Sequence, residues 1–222
     1  TIPVFWNPVG SSINKHYLRA PEWIAEAVRR FPDMKFYITG DERAAKIPVA
    51  VGPRCEVVAG GWSLRKQLTL SATGAGAVIG PESGLIVAAA CGAVPKVVLY
   101  SASKPLNIAA YWLNCYNIDG TTPHTGCHPC YRIPREPENS PECSVWGEEA
   151  VLADGRKVRP FLGTHCTVEL DPERIFAALA DVATGRPSHT CRICRAKVAR
   201  ELRPGWNFCA SCQSVWRVGE PV

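Results

Sequence analysis

Two pairs of cysteines near the end of the chain have the spacing of a structural metal site. Cys191 and Cys194 are separated by two residues, and Cys209 and Cys212 repeat that spacing fourteen residues later. A tight turn between two cysteines points both thiolates at one ion, and four thiolates complete the closed tetrahedral shell of structural zinc. The sequence therefore predicts one zinc ion here. Two disulfides or unpaired thiols are the alternatives, but the composition gives no sign of secretion.

A second group of cysteines lies in the middle of the chain. Cys127 and Cys130 form another pair with the same spacing, and Cys143 and Cys166 follow at irregular distances. Several prolines mark the intervening segment as an extended loop, too polar to fold around a core of its own. We therefore predict that a second zinc ion holds this loop through these four cysteines. An iron–sulfur cluster and reduced, metal-free cysteines are the alternatives.

The three remaining cysteines have apolar neighbours and no metal-ligand spacing. They are Cys55, Cys91 and Cys115. A free cysteine behaves as a small hydrophobic residue and is among the residues most often buried. We expect these three side chains to be buried in the core.

Polar residues also follow two short apolar segments that are typical of buried strands. They are Ser11, Ser12 and Lys15 after the first segment, and Glu82, Ser83 and Gly84 after the second. The carboxyl ends of parallel strands meet at one sheet edge, where hydroxyls, an ammonium group and the backbone amides of a following helix can bind phosphate. The spacing differs from that of a Walker loop. An ordinary helix cap beside a solvated lysine is the alternative interpretation.

The elements that position these residues alternate along the chain. Strands are predicted at 2–6, 34–39, 56–59, 77–80, 96–100 and 115–118, and helices at 21–31, 63–73, 83–91 and 171–185. Alternating strands and helices with apolar strands indicate an α/β fold built on a parallel, Rossmann-like sheet. We expect this core over 1–123, a cysteine-rich metal-pinned insertion over 124–170, a helix returning to the core over 171–185, and a small zinc ribbon over 186–222.

The segment from the second polar turn onward resembles glycosyltransferase family 9, the heptosyltransferase-like enzymes with two Rossmann-like domains. In that family an acidic residue, a serine or threonine and a glycine end a strand, as Glu82, Ser83 and Gly84 do here. A small-residue helix and an apolar strand follow in both, and that strand runs into a loop containing hydroxyl residues and proline. One position departs from the family: Val87 stands where a histidine is often found.

The resemblance extends over about residues 1–185 and implies a function. Residues 4–15 resemble the first strand and phosphate loop of the family's second domain, and residues 36–42 resemble its second strand with the acidic residue beyond it. The chain would then be the C-terminal, donor-binding domain of a two-domain (GT-B) enzyme. The donor-binding residues implied are Ser11, Ser12, Lys15, Glu42, Glu82, Ser83 and Gly84.

By the same resemblance the reaction is an inverting transfer of a hexosyl or heptosyl group from a nucleotide-diphosphate sugar, with no metal needed for the chemistry. The family's catalytic base belongs to the other domain, so no catalytic residue is assigned here. The chain begins at Thr1 inside a predicted strand. We therefore expect it to be part of a longer protein, with an acceptor-binding domain upstream.

Charge and hydropathy limit the other possibilities. The net charge of +5 lies entirely in residues 186–222, which hold seven Lys and Arg against two Glu. This basic tail contains Trp206, Phe208 and Trp216, so nucleic-acid binding is possible, but docking on a protein or simple solvation is favoured. No apolar run is long enough to span a membrane, and we expect a cytoplasmic protein. The main alternative function is a non-catalytic zinc-ribbon scaffold on a degenerate Rossmann-like domain.

Overall fold

The structure is a computed structural model built around a six-stranded parallel sheet. It describes residues 1–109, 112, 114–119, 130–131, 136–137, 142–152, 154 and 156–184, and the backbone of 199–203, 206–209 and 214–217. The strands of the main sheet are β1 (Ile2–Trp6), β2 (Met34–Ile38), β3 (Cys55–Val57), β4 (Ala77–Pro81), β5 (Lys96–Tyr100) and β6 (Cys115–Asp119). Their order is β3-β2-β1-β4-β5-β6. This is the doubly wound order, whose direction reverses between β1 and β4.

Helices cover both faces of this sheet. They are α1 (Ala20–Arg30), α2 (Glu42–Ala45), α3 (Leu64–Thr73), α4 (Gly84–Ala90), α5 (Pro105–Ile108), α6 (His165–Val168) and α7 (Pro172–Thr184), with a 3-10 turn at Ile13–Lys15. Side chains alternate along β1, so that Val4 and Trp6 pack in one core and Phe5 in the other. The first core contains buried residues of α1 and α7, such as Trp23 and Phe176. The second contains residues of α4.

The remaining strands form small antiparallel units. In the cysteine-rich region β7 (Ser144–Trp146) pairs with β10 (Phe161–Thr164), and β8 (Ala150–Val151) pairs with β9 (Lys157–Val158). In the tail, β11 (Ala199–Arg203), β12 (Trp206–Cys209) and β13 (Ser214–Arg217) form a three-stranded sheet. Cys191, Cys194 and Cys212 lie outside the described residues, and only the backbone of Cys209 is described.

The edge of the main sheet at β6 is occupied. Arg174 on α7 donates hydrogen bonds to the backbone oxygens of Asn117 and Asp119, at 3.2 and 3.1 Å. It also lies 3.2 Å from the carboxylate of Asp119. Strand β13 of the tail lies beside β6. The last strand of the sheet is therefore covered by a cation and by a neighbouring strand.

The structure confirms the predicted α/β fold, and the six predicted strands and four predicted helices are all found within two residues of their expected bounds. The sequence analysis missed the three short helices α2, α5 and α6, which are too brief to show a helical period. Cys55 and Cys115 are buried as predicted, but the prediction for Cys91 is wrong. Cys91 caps the end of α4 and is exposed, because the buried face of that helix is formed by Leu85, Ile86 and Ala89.

Across the described part of the chain, no helix combines the length and apolar character that a membrane crossing requires.

Candidate functional site

A cavity of about 450 Å³ opens at the carboxyl ends of the strands, where the strand order reverses. It lies between the loops that follow β1, β2 and β3 and the start of α4, where doubly wound sheets bind ligands. Its wall is formed by Asn7, Val9, Gly10, Ser11, Gly40, Asp41, Glu42, Arg43, Gly60, Trp62, Leu64, Gln67, Ser83, Gly84 and Leu85. Segments far apart in sequence thus contribute to one pocket, which contains polar side chains as well as apolar surface.

Asn7 joins the two strands on either side of the reversal. It follows β1 directly, and its amide nitrogen donates to the hydroxyl of Ser83 at 3.2 Å. Its side-chain oxygen accepts from the backbone N–H of Val9 at 3.3 Å. A Cβ at Gly80 would lie 2.6 Å from the backbone oxygen of Asn7, so only glycine permits this approach of β4. The loop after β1 is thereby fixed against the turn that precedes α4.

The turn into α4 presents small polar groups to the cavity. Ser83 precedes the helix in an extended conformation and makes no side-chain capping bond. Its hydroxyl is instead directed toward Asn7. The first amides of a helix have no partner within the helix, and here Gly84 and Leu85 line the cavity. Gly84 has no side chain that would keep a ligand away from this backbone.

Gln67 on α3 ties together the two loops on the opposite wall. Its side chain is 4% exposed and exchanges two hydrogen bonds with Gly40, accepting from the backbone N–H at 2.8 Å and donating to the oxygen at 3.1 Å. It also donates to the backbone oxygen of Trp62 at 2.9 Å. Gly40 has a φ of 122°, a conformation that favours glycine. One buried amide therefore sets the shape of the loops after β2 and β3.

Lys15 and Glu82 form an ion pair beside the cavity. The ammonium of Lys15 lies 3.3 Å from a carboxylate oxygen of Glu82 and donates to the backbone oxygen of the same residue at 3.2 Å. The other carboxylate oxygen accepts a hydrogen bond from the hydroxyl of Ser103. These contacts link the loops that follow β1, β4 and β5.

The structure places the predicted donor-binding residues in three different settings. Ser11, Glu42, Ser83 and Gly84 line the cavity. Lys15 and Glu82 lie behind the turn as an ion pair. Ser12 is 1% exposed, and its hydroxyl donates to the side chain of Asn14 at 2.6 Å, so it shapes the 3-10 turn.

The charged groups around the cavity are largely balanced. Asp41 caps α2 by accepting from the backbone N–H of Arg43, and its carboxylate lies 2.7 Å from the Arg43 guanidinium. Hydrogen bonds from Arg43 hold the pKa of Asp41 below its usual value. Burial lowers the pKa of His16, whose ring contacts the backbone oxygen of Gly10, so the imidazole is neutral at pH 7. Lys66 lies 3.9 Å from the centre of the Trp62 ring.

Several cavity residues were not predicted to bind. Asn7 could have been found, because it follows β1 directly and meets the same criterion that selected Ser11. Asp41 and Arg43 belong to the short helix α2, which the sequence analysis missed. Nothing in the sequence around Gln67 marks it as a residue of the cavity, because a single glutamine within a helix is normally solvated.

Three of the four cysteines of the second predicted metal site are described. Cys130, Cys143 and Cys166 form no disulfide with the described cysteines, and the Cys166 thiol lies 3.2 Å from the hydroxyl of Thr164. Burial raises the pKa of Cys166 to about 11. Within the described ranges no group of three or more histidine, cysteine or acidic side chains is arranged to hold a metal, so zinc at this site is not supported. Cys127 lies outside the described residues.

Comparison with solved structures confirms the resemblance to glycosyltransferase family 9 at the level of the fold. The chain is similar to the Escherichia coli ADP-heptose LPS heptosyltransferase II, with a TM-score of 0.51 and 17% identity, over 82% of this chain and 46% of that one. It is also similar to a family 9 glycosyltransferase from Veillonella parvula, with a TM-score of 0.56 and 14% identity, over 83% and 46%. The chain thus spans less than half the length of either structure.

Sequence comparison adds nothing to this result. No protein-family model matches the chain, and no curated protein matches it. The likeness to these glycosyltransferases is therefore one of fold.

Proposed function

We propose that this chain is the donor-binding domain of a glycosyltransferase and that the cavity takes the diphosphate and nucleoside of a nucleotide-diphosphate sugar. The observation that carries the proposal is the cavity at the point where the strand order reverses, lined by loops from three strands and by the start of α4. Both similar solved structures are glycosyltransferases, which supports the same class of activity. These two structures give no support to the alternative function, a non-catalytic zinc-ribbon scaffold.

The residues at the cavity have the chemistry that this ligand requires. Hydroxyls of Ser11 and Ser83 and the amides at the start of α4 can donate to diphosphate oxygens. An acidic residue after the second strand of such a sheet accepts hydrogen bonds from sugar hydroxyls, and Glu42 occupies that region. The ring of Trp62 provides an apolar surface in the same cavity.

The complete enzyme needs more than this domain. We propose that an acceptor-binding domain precedes it in the full protein and supplies the catalytic base for an inverting transfer. We also propose that Cys191, Cys194, Cys209 and Cys212 bind one structural zinc ion, on the strength of their spacing. A zinc site at Cys127, Cys130, Cys143 and Cys166 stays a prediction.

Calorimetric titration with ADP, UDP and GDP should show binding of at least one of them. Ser83→Ala should weaken it about tenfold because a hydrogen bond to a charged phosphate is lost, and Lys15→Ala should weaken it about tenfold because a cation beside the diphosphate is lost. Lys157→Ala is the matched control, since Lys157 pairs with Glu149 at 2.9 Å on the surface of the cysteine-rich region. A folded protein that binds none of the three nucleotides would contradict the proposal.

The chain by itself should not transfer sugar at an enzyme-like rate. The proposed base and acceptor site lie in another domain, and a donor held without them loses both proton transfer and positioning. Release of nucleoside diphosphate from a panel of sugar nucleotides measures this directly, with the full-length protein as positive control. Robust turnover by the isolated chain would place the active site within it.

A further inference from the structure

We propose that Glu82 is not a ligand of the donor but a competitor for Lys15, and that a bound diphosphate takes the Lys15 ammonium over from the Glu82 carboxylate. The inference deepens the proposed function and rests on it for the identity of the ligand. It assigns Glu82 the role of setting how tightly the diphosphate binds.

The Glu82 carboxylate is turned away from the cavity. Its side chain is 5% exposed. One carboxylate oxygen faces the Lys15 ammonium at 3.3 Å, and the other accepts a hydrogen bond from Ser103. A carboxylate whose two oxygens are engaged in this way has little surface left for a sugar or ribose hydroxyl. Its negative charge would also repel a diphosphate in the adjoining cavity.

Lys15 is placed to change partners. Its side chain is 18% exposed, more than that of Glu82; it donates a hydrogen bond to the backbone oxygen of Glu82, whereas its contact with the carboxylate is an ion pair without a hydrogen bond. The backbone oxygen that it contacts belongs to the residue immediately before Ser83, which lines the cavity. The ammonium therefore contacts Glu82, and the next residue in the chain, Ser83, forms part of the wall of the proposed diphosphate site.

The backbone of Lys15 is fixed, so only its side chain has to move. Gly10 donates to the backbone oxygen of Lys15 at 2.8 Å. A Cβ at Gly10 would lie 2.5 Å from the Cβ of Lys15, so this close approach requires glycine. Rotation about the flexible lysine side chain can carry the ammonium toward the cavity while the loop stays in place.

The negative charge of a diphosphate favours this exchange. The guanidinium of Arg43, at the wall of the cavity, lies 2.7 Å from the carboxylate of Asp41 and is already neutralised by it. A diphosphate carries more negative charge than a single carboxylate and forms strong charge-assisted hydrogen bonds with an ammonium group. The cost of the exchange is the loss of the pair with Glu82. The carboxylate therefore lowers the affinity for the diphosphate.

Replacing Glu82 by glutamine tests this competition. Glu82→Gln keeps the shape of the side chain and an acceptor for Ser103 but removes the charge, so the affinity for the diphosphate should rise about tenfold. In a chain that already carries Lys15→Met the same change should raise the affinity much less, because the ammonium for which the carboxylate competes is gone. Glu82→Asp keeps the charge and should not raise the affinity. Glu149→Gln, in the surface pair with Lys157, is the matched control.

The titrations use ADP, UDP, GDP and inorganic pyrophosphate, with thermal melting to confirm that each variant is folded. If Glu82→Gln binds a nucleotide more tightly and this gain depends on Lys15, both the donor function and the exchange are supported. A gain for pyrophosphate alone, with no nucleotide bound, supports the exchange and overturns the donor function. Unchanged or weaker binding to folded Glu82→Gln overturns the exchange, whether or not a nucleotide binds to the original chain. A gain of equal size in the chain that carries Lys15→Met also overturns it.

Discussion

Replacing Gln67 with leucine should lower the free energy of unfolding by about 3 kcal/mol and weaken nucleotide binding by about tenfold or more. Leucine is similar in size but can neither donate nor accept. The N–H and oxygen of Gly40 and the oxygen of Trp62 would lose their partner at a position that is 4% exposed. Buried polar groups without partners are costly, and the loops can regain partners only by moving. That movement would change the shape of the cavity.

Urea unfolding and calorimetric titration measure the two effects separately. Arg65→Leu is the matched control, because it introduces leucine on the same helix at an exposed position. Gln67→Glu is an informative second variant, because it keeps the acceptor for the Gly40 N–H but loses the donors. We expect its stability and its affinity for nucleotide to lie between those of Gln67→Leu and Arg65→Leu. If Gln67→Leu bound nucleotide as tightly as the original chain, these loops would not shape the site.

Substitution of Cys209 by serine should remove one zinc ion per chain and unfold the tail. A segment of this length with few aliphatic residues cannot bury enough apolar surface to offset its chain entropy, whereas structural zinc in small domains contributes on the order of 10 kcal/mol. Elemental analysis should give two zinc ions per chain if the cysteines around Cys130 also bind zinc, and one if they do not. Cys209→Ser should lower either number by one.

Hydrogen exchange locates the structural effect of that substitution. Backbone amides of β11, β12 and β13 should exchange rapidly in Cys209→Ser, and those of β6 should exchange faster because β13 lies beside it. The affinity for nucleotide should be retained, since the cavity lies at the other strands. Cys91→Ser changes an exposed cysteine outside both predicted sites and is the control. An intact tail after complete chelation under reducing conditions would exclude zinc as its organiser.

The sequence was sufficient for the parallel sheet because each of its strands is short, apolar and bounded by turn residues. The same pattern placed Ser11, Ser83 and Gly84 at the ligand edge, and the structure puts all three at the cavity. Side-chain partners could not be predicted in this way. Glu82 stands at the right position for a ligand, but Lys15 and Ser103 engage its carboxylate. Such contacts join residues far apart in sequence, and no local periodicity encodes them.

Arg174 also has a consequence for how this protein avoids self-association. The outer edge of a last strand normally presents free backbone groups, on which a strand from another molecule can add and start a polymer. Here the guanidinium already occupies two carbonyl oxygens of β6, at Asn117 and Asp119. In a chain that lacks this arginine, the outer edge of β6 would expose backbone groups that can pair with another strand. The tail lies beside this edge, and we expect its folding to depend on metal. If the tail depends on zinc, loss of the metal would leave Arg174 to cover these carbonyl groups of β6.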